Sequence, residues 1–185
     1  MFCFGGNVFV LALYQRMNTA EIEQMLRGLP GFLGVFASDE VPGVTPTQNP
    51  QCLIVNLDPS WLPGSHWVGI CARMYGNKKV LELFDSYGSR PIMNHKKGWR
   101  IIYNKKKLQK PETKVCGHYA TYFVKNRLKN ESFRTILKRL VGKRNPDNYV
   151  KKQIKTTKTG NTSRGKQQCG TKPPHPCCVL IDITR

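Results

Sequence analysis

The chain has 185 residues, of which 39% are hydrophobic, and this is enough for one core of ordinary size. No apolar run approaches the length of about 18 residues that a membrane-spanning helix needs, so the sequence predicts none. The seven cysteines follow no regular spacing, which indicates a reducing compartment and argues against a secreted domain held together by disulfides.

The formal net charge of +19 is concentrated in one half of the chain. Residues 1–89 hold 5 Lys or Arg and 7 Asp or Glu, a net charge of −2. Residues 90–185 hold the remaining 25 Lys or Arg and 4 Asp or Glu, a net charge of +21. A basic half of this size predicts a polyanionic partner, most simply nucleic acid, and a solubilising tail is the alternative.

In chain order, residues 1–16 are predicted to be an extension of doubtful structure, with a secretory signal as the alternative. A helix is predicted over 18–28, where Thr19 can cap the N-terminus and acidic residues occupy the first turn. Cys52 and Cys71 lie in apolar runs and are predicted to be plain core residues. Apolar runs bounded by Gly, Pro and Asn predict strands over 32–36, 52–57, 66–72, 80–85 and 100–103.

Helical periodicity predicts two further helices, over 119–128 and 131–141, and Gly142 ends the second. The folded domain is therefore predicted to span residues 17–142. From residue 143 onward the chain is rich in Lys, Thr, Gly, Asn and Gln and has little to bury. Residues 143–185 are accordingly predicted to be a basic, mostly disordered tail.

Cys116 stands with Gly117 directly before the predicted helix at 119–128. A thiol at a helix N-terminus is close to the positive end of the helix dipole and to backbone N–H groups, and both favour the thiolate. Gly117 would let the backbone approach a substrate closely. Cys116 is therefore a candidate nucleophile, although a buried structural cysteine is the commoner explanation of a Cys-Gly pair taken alone.

Three further residues can complete a thiol active site. His66 begins a strand and Asp85 ends the neighbouring hairpin strand, so Asp85 could orient the imidazole of His66. Gln109, seven residues before Cys116, could offer its side-chain amide to an oxyanion beside the Cys116 backbone N–H. Each of the three also has an ordinary interpretation, as a strand-end histidine, a carboxylate that caps a turn, and a surface glutamine.

Four segments, in this order and over residues 18–141, resemble the adenovirus maturation protease (adenain) family of cysteine proteases. They are Phe32–Phe36 with Pro42-Gly43, Gly64-Ser65-His66-Trp67, Leu83–Gly88, and Gln109 followed by Cys116-Gly117. In the family, such segments carry an N-terminal signature, the catalytic histidine, the acidic triad member, and the oxyanion-hole glutamine with the nucleophile. The resemblance therefore implies catalytic roles for four residues: His66, Asp85, Gln109 and Cys116.

The resemblance also implies an α+β fold, in which a mixed central β-sheet is flanked by helices. It implies a cysteine endopeptidase that cleaves viral structural precursor proteins during virion maturation, located in the virion and the host cell nucleus. The adenovirus enzymes are activated by DNA, so DNA is expected as a partner and an activator. The chemistry itself is expected to need no cofactor and no metal, and no membrane partner is predicted.

The sequence departs from the adenovirus enzymes in three ways. No cysteine lies between Cys71 and Cys116, where the family's linking cysteine would be, so a disulfide to an activating peptide is doubtful. Asp85 stands where those enzymes carry Glu, although related ubiquitin-like-protein proteases carry Asp there. The basic tail has no counterpart. A distant member, from another DNA virus or a Maverick-type virus-like transposon, is therefore expected.

The DNA contacts are predicted in the segment 90–114 and in the tail. Few aromatic residues stand among the lysines, so phosphate contacts without sequence readout are expected. His118, on the helix beyond the nucleophile, is not expected to act as the base. Cys169, His175, Cys177 and Cys178 match no zinc-site spacing. The residues predicted to bind DNA are Lys96, Lys97, Arg100, Lys105, Lys106, Lys107, Lys151 and Lys152.

Two other functions fit the same sequence. A protease specific for ubiquitin-like proteins would use the same triad, and cleavage of such substrates against short Gly-containing peptides separates the two. A non-catalytic nucleic-acid binder with a protease-derived core would have an inert Cys116. Labelling with an electrophilic cysteine probe tests this second alternative.

Overall fold

The computed structural model describes residues 16–90 and 98–155, so the extension predicted at 1–16 lies outside the described residues except for Arg16. None of the helices in these ranges is long and apolar enough to cross a membrane. In chain order the elements are the helix α1 (Thr19–Leu26), the strands β1 (Phe32–Ala37), β2 (Gln51–Asn56), β3 (Trp67–Tyr75), β4 (Lys78–Phe84) and β5 (Trp99–Tyr103), and the helices α2 (Cys116–Leu128), α3 (Phe133–Val141) and α4 (Pro146–Gln153).

The strands of the described ranges form one mixed sheet in the order β1-β2-β3-β4-β5. β1 pairs with β2 and β4 with β5 in parallel, whereas β3 is antiparallel to both of its neighbours. The four helices contribute to an apolar core on one face of the sheet. Strand residues such as Leu53 and Ile70, with Val41 and Val44, form a second core on the other face. The predicted α+β fold with a mixed sheet and helices is confirmed, with the helices on one face.

The strand directions bring several loops to one edge of the sheet. β1, β2, β4 and β5 run in the same direction and β3 runs in the opposite one. The segments that follow β2, β4 and β5 therefore lie at the edge where β3 begins, and we call this the carboxyl edge. It carries the segments 57–66, 85–90 and 104–109.

Cys52 and Cys71 form a disulfide between β2 and β3, and both side chains are fully buried. Their place in the core is confirmed, but the prediction that they are plain core residues is wrong, because they are bonded to each other. The two residues stand directly opposite each other in the antiparallel register. Strand register depends on tertiary pairing, which the spacing of cysteines along the chain does not reveal.

The helix α4 extends the fold beyond the predicted domain end at residue 142. Asn145 caps it and Pro146 begins it, while Val150 and Ile154 are buried in the helical core. The predicted tail boundary at residue 143 is therefore wrong, because residues 143–155 belong to the folded part. The composition of this lysine-rich segment did not indicate a helix, because only a few of its residues are apolar and reach the core. The remainder of the predicted tail, 156–185, lies outside the described residues.

Asn18 caps the N-terminus of α1. The sequence-based prediction that Thr19 is the cap is therefore wrong. The Asn18 side chain accepts a hydrogen bond from the Glu21 N–H, and the Glu21 carboxylate accepts one from the Asn18 N–H, each at 2.9 Å. This capping box fixes the start of a helix whose Ile22 and Leu26 are fully buried. Met17, which directly precedes Asn18, is buried in the helical core.

Candidate active site

Cys116 is the first residue of α2, and its side chain is buried at the amino end of that helix. The preceding residue, Val115, offers no side-chain hydrogen bond to the exposed N–H groups of the first turn. These N–H groups carry the positive end of the helix dipole, which favours a negative charge on the sulfur. The predicted thiol at a helix N-terminus is therefore present.

Gly117 has a packing role that the sequence did not indicate. A Cβ atom at this position would lie 2.9 Å from Met17 Cβ and 3.3 Å from Trp67 Cδ1. Trp67 also donates a hydrogen bond from Nε1 to the Met17 carbonyl at 3.2 Å. The absent side chain lets α1, β3 and α2 meet beside Cys116, and the expectation that Gly117 also lets the backbone approach a substrate closely stays a prediction.

His66 contacts both other members of the predicted triad. Its Nε2 lies 2.6 Å from Asp85 Oδ1, and its ring also forms a hydrogen bond with the Cys116 side chain. Since Nε2 faces Asp85, Nδ1 is the nitrogen that remains for the sulfur. Burial lowers the pKa of His66, but the hydrogen bonds and negative charges of Asp85 and Cys116 outweigh this and raise it to about 10. The site therefore favours an imidazolium beside a thiolate.

Asp85 is the first residue after β4, at the carboxyl edge, and it is buried. Its carboxylate accepts hydrogen bonds from the backbone N–H groups of Tyr87 at 2.8 Å and Ser89 at 3.2 Å. Burial raises the pKa of Asp85, but the hydrogen bond and charge of His66, together with these donors, lower it overall. Asp85 is thus held as a carboxylate directed at the imidazole.

The loop before His66 is fixed by Asn56, the last residue of β2. Its Oδ1 accepts hydrogen bonds from the N–H groups of Asp58 at 3.0 Å and Ser65 at 3.2 Å. Ser65 Oγ in turn donates to Asp58 Oδ1 at 2.7 Å. Gly64 has a φ of +84°, and a Cβ there would meet Asn56 Nδ2 at 2.3 Å. These contacts determine where the chain enters β3, and hence where His66 lies.

Gln109 is buried near the triad, and its side-chain amide already has three partners. Its Oε1 accepts from Ser86 Oγ at 2.7 Å, while Nε2 donates to the Thr113 carbonyl at 2.7 Å and to Tyr87 Oη at 3.2 Å. The ring of Tyr87 lies against that of His66, with centroids 4.9 Å apart. Gln109 therefore belongs to the cluster around the triad, and its oxyanion role stays a prediction.

The residues predicted to bind DNA lie on two separate elements. Arg100 on β5 and Lys105, Lys106 and Lys107 after it are exposed, as is Lys152 on α4, whereas Lys151 is half-buried. The Lys107 ammonium lies 5.4 Å above the Tyr87 ring, so this basic segment borders the triad. Lys96 and Lys97 lie outside the described residues. DNA binding by any of these residues stays a prediction.

His118, two residues beyond Cys116, is buried, and its Nδ1 has no hydrogen-bond partner within the described residues. Burial lowers the pKa of His118 to about 4, and the positive charge of Lys151 adds to this. His118 is therefore neutral near pH 7 and packs inside the fold. Within residues 16–90 and 98–155, no three His, Cys, Asp or Glu side chains are grouped to hold a metal. Cys169, His175, Cys177 and Cys178 lie outside these ranges.

Three residues of the site were not predicted from the sequence: Ser86, Tyr87 and Asn104. Ser86 and Tyr87 directly follow Asp85, so their position beside a candidate triad residue was the available signal. Asn104 had no signal except its place after a predicted strand. It acts on a residue 19 positions away, by side-chain to backbone hydrogen bonds that no sequence pattern reports.

No family model and no curated protein matches the chain. Two crystal structures of the ASFV pS273R protease are similar to it. One has a TM-score of 0.43 and 22% identity, and the match covers 58% of this chain and 42% of that one. The selenomethionine form has a TM-score of 0.44 and 20% identity, with 60% and 45% covered. The chain thus spans less than half the length of the protease in either structure.

Proposed function

We propose that the protein is a cysteine endopeptidase, with Cys116 as nucleophile, His66 as general base and acid, and Asp85 as the residue that orients the imidazole. The observation that carries this proposal is the contact chain from Asp85 through His66 to Cys116. Of these three buried residues, Asp85 directly follows β4, His66 directly precedes β3, and Cys116 begins α2 at the helix N-terminus. A nucleophile, a base and an orienting carboxylate in this order are what thiol proteolysis requires.

The reaction follows from the charges in the site. The Cys116 thiolate attacks the scissile carbonyl carbon, and a C–S bond forms as the carbonyl oxygen takes the negative charge. His66 gives its proton to the leaving amine, the C–N bond breaks, and a thioester remains. Water then attacks the thioester while His66 accepts its proton. The C–S bond breaks, and the carboxylic acid product leaves a thiolate behind.

The oxyanion is expected to be held by the Cys116 backbone N–H at the start of α2. For the Gln109 side chain to add a second donor, Nε2 must exchange one of its present partners. The hydrogen bond to Tyr87 Oη, at 3.2 Å, is longer than that to the Thr113 carbonyl, at 2.7 Å, and is the one we expect to yield. Gln109 would then bind the oxyanion while remaining anchored to Thr113.

The substrates we propose are viral structural precursor proteins, cleaved in association with DNA in the virion or the host nucleus. This part of the proposal rests on the resemblance to the adenain family and on the net charge of +21 over residues 90–185. The exposed Lys107 lies over the Tyr87 ring beside the triad, and the exposed Lys105 and Lys106 directly precede it in the chain. A polyanion bound there would lie next to the site of cleavage.

Replacement of Cys116 by Ala tests the catalytic assignment. We expect the variant to fold like the wild type and to lose cleavage of Gly-containing peptides and of candidate precursors. Lys129→Ala, an exposed change on the far end of α2, serves as the matched control with full activity. A folded Cys116→Ala protein that still cleaves would remove Cys116 from the mechanism. Ubiquitin-like substrates in the same panel reveal whether the enzyme is instead a protease for such proteins.

A further inference from the structure

Asn104 makes an unusual set of hydrogen bonds with the backbone of Asp85. Its Oδ1 accepts from the Asp85 N–H at 2.9 Å, and its Nδ2 donates to the Asp85 carbonyl at 2.6 Å. Nδ2 also donates to the Lys106 carbonyl at 3.2 Å. The side chain is 1% exposed, so one buried amide satisfies both backbone polar groups of Asp85.

The position of Asn104 in the sheet explains this arrangement. The parallel ladder of β4 and β5 ends with the pair Leu83 and Tyr103. Asp85 lies beyond the last paired residue of β4, where no backbone of β5 stands opposite it. The Asn104 side chain supplies one donor and one acceptor there, as a further residue of β5 would. It thereby continues the ladder past the end of the sheet and holds the chain that carries the carboxylate.

We propose that Asn104 is a positioning residue for the triad, which fixes the Asp85 backbone so that Oδ1 meets His66 Nε2. This inference rests on the proposed function. The Asp85–His66 contact is 2.6 Å, at the short end of the range for charge-assisted hydrogen bonds, and contacts of this kind weaken quickly when a partner moves. Asp85 is thus held at two points. Tyr87 and Ser89 donate to its carboxylate, and Asn104 bonds its backbone.

A double-mutant cycle between Asn104→Ala and Asp85→Asn is the decisive experiment. If Asn104 acts through Asp85, Asn104→Ala lowers kcat by about 10- to 100-fold with KM unchanged, as a small misplacement of a catalytic group does. In the Asp85→Asn background the same change has little further effect. An equal loss of kcat in both backgrounds would show a general structural role and overturn the proposal.

The control is Asn126→Ala, which removes a part-buried hydrogen bond from the Asn126 side chain to the Tyr122 carbonyl within α2, away from Asp85. We expect this control to leave kcat near that of the wild type. If Asn104→Ala does not fold, Asn104→Asp takes its place in the cycle. The carboxylate keeps the size and an acceptor for the Asp85 N–H, but it cannot donate to the Asp85 carbonyl.

A second readout does not depend on turnover. NMR of the imidazole nitrogens reports the protonation of His66 directly, in the full chain, with and without Asn104→Ala. We expect the measured pKa of His66 to fall in the variant, because the Asp85 carboxylate is held less firmly. An unchanged titration in a folded variant would overturn the proposal. If Asn104→Ala lowers the pKa of His66 but the wild-type protein shows no peptidase activity, the positioning role is supported and the proposed function is contradicted.

Discussion

At the scale of single residues, His66 shows how a buried group can keep a charge. Burial opposes its protonation, yet the contacts with Asp85 and Cys116 more than offset this. His66 is the group on which both neighbours depend, since its removal would leave two buried negative charges, on Asp85 and Cys116, without compensation. The folded chain alone therefore stabilises the imidazolium of His66.

The charge of His66 gives a prediction about pH. The pKa of His66 is about 10 in the fold and has an ordinary value of 6.5 when unfolded, so His66 remains an imidazolium near pH 7. Its protonation stabilises the fold fully below pH 6.5, and this contribution is lost as the pH rises toward 10. NMR of the imidazole nitrogens should show no titration of His66 between about pH 6 and 8.

The control for this experiment is within the same chain. His118, whose pKa is lowered to about 4, should be neutral over the same range and give the opposite spectroscopic signature. Replacement of His95 and His175 by Gln removes the two other histidine signals. A titration of His66 centred near its ordinary pKa would contradict the imidazolium–thiolate description.

At the scale of elements, the active site depends on close packing between α1, β3 and α2. Met17, Trp67 and Gly117 meet at the point where α2 begins, and Cys116 is the adjacent residue. The helix that begins at Cys116 is therefore positioned by contacts with apolar residues and by the absence of a side chain at Gly117. Small changes of volume here should be transmitted to the sulfur.

Gly117→Ala tests this packing. The new methyl group would lie 2.9 Å from Met17 Cβ, an atom close to the backbone that cannot move easily, so the helix must shift. We expect the free energy of unfolding to fall by about 1–3 kcal/mol, measured by urea denaturation. The rate of Cys116 alkylation by iodoacetamide should also change.

Gly142→Ala is the matched control for the packing experiment. Gly142 has a φ of −74°, and the shortest contact of an added Cβ would be 3.4 Å, to the Lys138 carbonyl. The change should therefore be neutral or stabilise the fold by less than about 1 kcal/mol. Equal effects of the two substitutions would mean that Gly117 is not a special position.

At the scale of the whole molecule, the acidic and basic halves meet at the carboxyl edge of the sheet. His66 and Asp85 come from the half with a net charge of −2, while Lys107, from the half with a net charge of +21, lies over the Tyr87 ring that contacts His66. A polyanion and a peptide substrate could therefore occupy adjoining surfaces. This arrangement makes DNA binding measurable apart from catalysis.

We predict that the full chain binds DNA with an affinity that falls steeply between about 50 and 200 mM salt, because phosphate contacts release counterions. Replacing Lys105, Lys106 and Lys107 by Ala should lower the logarithmic salt slope for duplex DNA by up to about 3, or roughly 0.9 for each lost contact. Fluorescence anisotropy with duplexes of unrelated sequence measures both quantities.

The control for DNA binding removes the same number of charges elsewhere. Lys78, Lys79 and Lys129 are exposed and lie away from the carboxyl edge, so their replacement by Ala should change the slope less. Equal effects of the two triple variants would indicate a response to net charge alone. Affinity that does not depend on salt would contradict phosphate binding altogether.

The sequence predicted what depends on local pattern. Apolar runs revealed the strands, and a hairpin brought His66 and Asp85 to one edge. The sequence did not predict features that depend on the pairing of distant strands or on hydrogen bonds between a side chain and a distant backbone. The Cys52–Cys71 disulfide requires the pairing of β2 with β3. The hydrogen bonds of Asn104 to the Asp85 backbone require the end of β5 to lie beside Asp85. The helix α4 was missed because its buried residues are few among many lysines.

The Cys52–Cys71 disulfide has a consequence for the redox state in which this protein can work. It closes a loop that includes His66, and its sulfurs are shielded by the core, whereas Cys116 must stay reduced for the role of nucleophile that we propose for it. Thiol–disulfide exchange requires a thiolate to reach a sulfur atom, so a mild reductant that maintains Cys116 should leave the buried bond intact. An oxidant would thus act on the Cys116 thiol, whereas a reductant would act on the Cys52–Cys71 disulfide. The reductant would reach that disulfide, and release the loop that carries His66, only after the core has opened.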